Sequence, residues 1–190
     1  MFLYIMFMTL RELTGFLRFL DRNGAWLFTF DQARSYFRDE PNNTLRHALG
    51  RHAKGGAILR LRRGLYANPD ARSRPFYALE ALALFLRPGQ TNYLSLVSRL
   101  SELGIISQTP SLLTLATTGR AGLIHTPLGA IEFAHTPLAP LELAPSLAWD
   151  AQRGLWLASG RLAWEDLRRA DRNLDLVDHE ELERLESAVT

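Results

Sequence analysis

A chain of 190 residues, 47% apolar and with a formal net charge of +2, carries enough apolar side chains for a packed core, which excludes wholesale disorder. It has no cysteine, which excludes disulfides, thiolate metal sites and a cysteine nucleophile. The charge is unevenly spread: residues 1–80 hold 13 Lys and Arg against 7 Asp and Glu, and residues 81–190 hold 9 against 13, a pattern of one nucleic-acid-facing half and one half with another task.

Residues 2–8 are apolar but far short of the ~20 that a membrane span needs, and Arg11, Glu12 and Arg18 follow too soon for a span or a signal peptide. They read either as an added strand or helical turn packed on a neighbour, or as residues preceding a true start at Met8. Leu10, Leu13, Phe16, Leu17 and Leu20 then share one face at helical spacing, and Gly24 supplies a stop. Thr29 is placed to cap a second helix that turns Ala33, Tyr36 and Phe37 inward and ends by Pro41. Asn42-Asn43-Thr44 opens a third helix, with Leu45 and Leu49 toward the core and Arg46, His47, Arg51, His52 and Lys54 on its other faces. A short amphipathic helix, a tight break and a polar helix rich in Arg and Asn form a helix-turn-helix pattern, whose second helix enters the major groove. Arg matches guanine O6 and N7, and Asn matches adenine N6 and N7.

From Leu59 to Arg62 apolar residues and arginines alternate, Gly64 permits a turn, and Leu65-Tyr66-Ala67 returns. This predicts a small hairpin with arginines on one face and at its tip, a wing. Residues 34–74 hold ten Lys and Arg against three Asp and Glu, and each phosphate that such a stripe neutralises releases counterions. The predicted contacts to duplex DNA are Asn42, Asn43, Thr44, Arg46, His47, Arg51 and Lys54 on the helix, and Arg60, Arg62 and Arg63 on the wing. Bases are expected to be read either by Arg46 and Asn43 or through DNA shape; replacing Arg46 is expected to relax base preference, and replacing Arg62, a phosphate contact, to weaken all sites alike.

Residues 68–75, polar and with two prolines, read as a linker, so a second domain is expected from about residue 70. Residues 76–86 are almost wholly apolar and predict a buried helix ended by Arg87-Pro88-Gly89. Thr91 or Asn92 is placed to cap another helix that carries Leu94, Val97, Leu100 and Leu103. Strands follow at 112–117, at 123–126 and 131–135 around a Pro127-Leu128-Gly129 turn, and at 155–158. A helix at 162–172 turns Trp164 and Leu167 inward, and Asp178 caps a last, acidic helix at 180–188. The fold class is α+β: an N-terminal winged helix-turn-helix over 1–70, then a mixed α/β domain over 71–190.

The segment Asn92-Tyr93-Leu94-Ser95-Leu96-Val97-Ser98-Arg99-Leu100-Ser101-Glu102-Leu103-Gly104-Ile105-Ile106 resembles the AbiEi antitoxin family of type IV toxin–antitoxin systems. So do Leu115-Ala116-Thr117-Thr118-Gly119-Arg120, Thr126-Pro127-Leu128-Gly129-Ala130-Ile131-Glu132-Phe133 and, in the wing, Leu61-Arg62-Arg63-Gly64-Leu65-Tyr66. The resemblance runs from about residue 10 to 185. It departs at Ser159-Gly160-Arg161-Leu162-Ala163, where family members carry a Pro-Glu-Lys-Ala-like stretch, and many relatives continue further after Asp178. It implies two roles: an N-terminal winged helix that represses its own operon at inverted repeats, and a C-terminal domain that counters a nucleotidyltransferase toxin without a stable complex; the absence of cysteine fits a cytoplasmic protein.

No catalytic constellation emerges, and no cofactor, metal or membrane partner is expected. His125, Glu132 and His135 could supply zinc ligands, but Glu132 and His135 differ by three and point to opposite faces of a regular strand. Ser98 lacks evident His and acid partners. Trp26, Trp149, Trp156 and Trp164 are scattered and read as core rather than as base-stacking platforms. The competing reading is a plain winged-helix regulator whose second domain serves dimerisation or effector binding; an enzyme acting on nucleic acid is the third.

Overall fold

The computed structural model describes residues 8–188, so the expectation for residues 2–7 lies outside the described residues. The chain is mixed α/β and divides into two compact units between Phe76 and Tyr77.

The first unit contains α1 (Leu10–Arg22), β1 (Leu27–Thr29), α2 (Phe30–Tyr36), α3 (Asn42–Lys54), β2 (Leu59–Arg62) and β3 (Leu65–Ala67). Thr9 and Glu12 form a capping box at the start of α1, and Thr29 and Gln32 form one at the start of α2; each supplies backbone donors with side-chain acceptors. Leu13, Phe16, Leu17 and Leu20 of α1 are buried against Leu45, Ala48 and Leu49 of α3 in one cluster, which also takes in Met8, Phe28 and Ile58. Each fully buried Leu contributes roughly 1.5–3 kcal/mol. Leu10, expected on the buried face, is the first residue of α1 and is 57% exposed. Tyr36, expected inward, is 47% exposed and lies against the rings of Phe16 and Phe19.

The strands form an antiparallel sheet in the order β1-β3-β2. β1 carries no sequence signal of its own: three residues are too few to show an alternation, and pairing to β3 defines it. Residues 68–75 are not a free linker. The Asp21 carboxylate at the end of α1 accepts backbone N–H bonds from Arg72 (3.2 Å) and Ser73 (2.8 Å). These bonds, that from Ser73 above all, hold its carboxyl below the usual range. The strap carries the unit boundary past residue 70.

The second unit contains α4 (Ala78–Leu86), β4 (Asn92–Leu94), α5 (Leu96–Glu102), β5 (Leu113–Thr117), β6 (Gly122–Thr126), β7 (Gly129–His135), a single turn α6 (Pro140–Leu143), β8 (Leu147–Asp150), β9 (Leu155–Ala158), α7 (Gly160–Ala170) and α8 (His179–Ala188). Its six strands run in the order β6-β7-β5-β4-β9-β8, parallel at β5–β7 and β4–β9 and antiparallel elsewhere. Tyr93, Ala116 and Ala158 face the α5, α7 and α8 side, where Leu96, Leu100, Leu162, Leu167 and Leu182 complete the core. On the other face, Arg87 at the end of α4 lies 4.7 Å over the Phe133 ring. Residues 92–94, expected in a helix, form the strand β4, because Asn92–Leu94 pairs with both β5 and β9. Asp178 caps α8 through N–H bonds from Glu180 and Glu181, as the sequence predicts.

Candidate nucleic-acid interface

α3 begins after Pro41 with no side-chain cap and no acidic residue in its first turn. Its leading N–H groups and the positive end of its dipole are therefore open to a negative group. Leu45, Ala48 and Leu49 fix the buried side. Opposite them, Asn43, His47, Gly50 and Lys54 fall at i, i+4, i+7 and i+11, along the middle of the outward face. Asn42 and Arg46 flank this line on one side and Arg51 on the other; all three are exposed, and Thr44 is half-buried.

The β2–β3 hairpin turns through Arg63-Gly64, and Gly64 has a φ of +76°, a conformation that glycine adopts without cost. The Gly64 carbonyl accepts the Phe30 N–H at 2.8 Å, which ties the turn to the start of α2. The register slips between Arg60 and Arg62, so Arg60 opposes Tyr66 and Arg62 opposes Leu65. Such a bulge re-aims side chains. Arg60 and Arg63 line a cleft of about 570 Å³ with Arg46, Gly50, Thr29, Phe30, Asp31, Gly64 and Tyr66, while Arg62 stands exposed outside it.

Arg46 does not extend from the middle of the face. Its guanidinium lies 4.3 Å over the Phe30 ring, a cation–π contact that orients it toward the hairpin. Arg46, Arg60, Arg62 and Arg63 reach no carboxylate among the described residues; Asp31, the one acid in the cleft, pairs with Arg34 at 3.3 Å. The ten sequence-predicted contacts therefore fall into three groups: the middle line of α3 (Asn43, His47, Lys54), its flanks (Asn42, Thr44, Arg46, Arg51), and the hairpin (Arg60, Arg62, Arg63).

The second unit holds a buried polar cluster that sequence reading missed. The Asp166 carboxylate of α7, 4% exposed, accepts bonds from the Tyr93 hydroxyl (2.9 Å), the Ser95 hydroxyl (2.7 Å) and the Arg169 guanidinium. Burial raises its pKa despite three donors that lower it, and burial followed by the Asp166 charge raises that of Tyr93. Ser95 sits at a strand-to-helix junction followed by Leu96 at φ +51°, a strained position for a leucine. Its hydroxyl is fully buried and bound to Asp166, so it is not presented to a substrate. A second network joins Arg153 to Glu80 and Glu102, with its guanidinium 4.7 Å over Tyr77; the Glu80 bonds hold its pKa above the usual arginine value.

The considered metal set does not converge. His125 opposes Ala130 on β7, Glu132 pairs with Arg172, and His135 bonds the Gly119 carbonyl at 2.9 Å. No group of three metal-ligating side chains forms among the described residues. Ser98 is engaged with Thr114 and the Leu112 carbonyl. Two tryptophans depart from the core reading: Trp149 (53% exposed) and Trp156 (41%) pair edge to face on the outer hairpin of the sheet. No helix among the described residues is long and apolar enough to cross a membrane.

The fold and the basic cleft describe a mixed α/β protein with one cationic unit. No family model matches the chain, and no curated protein matches it. Among solved structures it is similar to the crystal structure of the RV2827C protein from Mycobacterium tuberculosis, with a TM-score of 0.48 and 17% identity, over 92% of this chain and 70% of that one.

Proposed function

We propose that the first unit is a winged helix-turn-helix that binds duplex DNA, with α3 in the major groove and the β2–β3 hairpin as the wing, and that the chain is a transcriptional autorepressor. The observation that carries this reading is the group Arg46, Arg60, Arg62 and Arg63, at α3 and the hairpin, for which no carboxylate partner occurs among the described residues. Arginines without a carboxylate partner beside an exposed helix face support a polyanionic ligand, since uncompensated positive charge gathered on one surface attracts it. The helix–helix–hairpin order, with Gly64 at the hairpin turn, supports the winged-helix assignment. The test is binding to duplexes from upstream of the chain's own gene at rising salt. Affinity should fall steeply from 50 to 200 mM salt, as counterion release requires; flat affinity overturns the reading.

The second role, antitoxin against a nucleotidyltransferase toxin, rests on the AbiEi resemblance of the 92–106 and 115–133 segments. Co-expression with a neighbouring nucleotidyltransferase should relieve its toxicity. Absence of relief leaves the regulator role alone.

A further inference from the structure

The sequence reading assigns Arg46 to base recognition; the geometry points elsewhere. Arg46 lies on a flank of α3, stacked on Phe30 and turned toward Arg60 and Arg63 across the cleft. Three guanidinium groups thus line one concavity, and the carboxylate beside them, Asp31, is engaged with Arg34. A concavity lined by three arginines matches the charge and the fork geometry of a phosphodiester, not the single edge of a base.

Gly50 supplies an independent sign. It sits within α3 on the same cleft, where a Cβ would meet nothing within 4 Å. Packing inside the unit therefore does not require glycine, and a glycine within a helix costs roughly 0.5–1 kcal/mol relative to alanine. A bare backbone here leaves room for a ligand to approach the helix closely. The middle of the exposed face meanwhile carries Asn43 and His47, whose side chains are unobstructed.

We propose that the cleft between α3 and the β2–β3 turn seats a backbone phosphate of the duplex, held by Arg46, Arg60 and Arg63, and that Asn43 and His47 read the bases. The assignment rests on the duplex-binding reading above and divides its contacts into positioning and specifying groups.

The experiment selects preferred duplexes from a random 24-bp library with the full chain, then measures affinity for one selected and one scrambled duplex across salt. Arg46→Gln should weaken both duplexes alike and reduce the slope of log K against log salt by about 1. Arg46→Lys should restore the slope. Asn43→Ala should shrink the ratio between the duplexes and leave the slope unchanged. Gly50→Leu, which favours the helix, should weaken both duplexes about equally with no fall in melting temperature. An Arg46→Gln protein that loses the ratio while keeping the slope overturns the phosphate assignment and leaves DNA binding standing. So does one that changes neither. Wild-type protein that binds no duplex overturns both readings together.

Discussion

The two units differ in how most of their arginines are used, although Arg87 of the second stacks on Phe133 and Arg34 of the first pairs with Asp31. In the second unit Arg99, Arg153, Arg161, Arg169, Arg172 and Arg184 each reach a carboxylate. In the first, Arg46, Arg60, Arg62 and Arg63 reach none among the described residues. Arginines satisfied within the fold act on stability; arginines left with a stacking partner or with water are available to an external anion. Net charge alone blurs this distinction, because an ion-paired arginine and an unpaired one count the same.

The comparison can be broken first at Arg153. Its guanidinium is buried between Glu80 and Glu102, and Glu80 is 5% exposed. Arg153→Met strands a buried carboxylate, so the second unit should lose about 3–5 kcal/mol. Urea unfolding followed by tryptophan fluorescence measures it; a loss below about 1 kcal/mol would show that the pairing is dispensable.

Asp166 sharpens the contrast through pH. Its carboxyl is raised in the fold, chiefly by burial, so between its ordinary value and the raised one the native chain holds a proton that the unfolded chain has released. Its contribution is therefore fully present below the ordinary carboxylate range and is lost as pH rises through the raised value. Stability should decline along that arm, and Asp166→Asn, which cannot titrate, should flatten it. A stability profile with the same slope in both proteins contradicts the assignment.

Smaller effects are expected where the side chains are exposed. Arg161 pairs with Glu165 at 3.3 Å on the surface of α7, and Arg161→Gln should cost about 0.3–0.5 kcal/mol, less at high salt. Replacing Arg60, Arg62 and Arg63 together by Gln should move the melting free energy of the first unit by less than about 0.5 kcal/mol per site, while duplex affinity falls. A large loss of stability in that triple variant would mean that these arginines belong to the fold after all.

Legibility followed the range of the interactions involved. α1, α3 and the β2–β3 hairpin were readable because their signals lie within a few residues: the Leu13-Phe16-Leu17-Leu20 face, the Leu45 and Leu49 spacing, and Gly64 between alternating arginines. β1, β4 and β8 were missed. Each is three or four residues long and exists through its pairing with β3, with β5 and β9, or with β9. Asp166 looked like one more acid on an amphipathic helix, since the hydroxyls that surround it come from residues 71 and 73 positions away. The departure at Trp149 and Trp156 has the same origin: a hairpin at the sheet edge leaves side chains exposed that hydrophobicity alone assigns to a core.

The order of the helices α1 to α3 and of the β2–β3 hairpin, the caps at Thr29 and Asp178, and the concentration of positive charge before residue 80 were determined by the sequence itself, because periodicity, capping and charge act locally. Tertiary structure decided which of those charges remain available. Arg46 could be counted as basic from the sequence, but its turn toward Arg60 and Arg63 required Phe30, brought beneath it by the packing of α2 and the Gly64 turn. Pairing and orientation are long-range properties, set by which segments the core brings together.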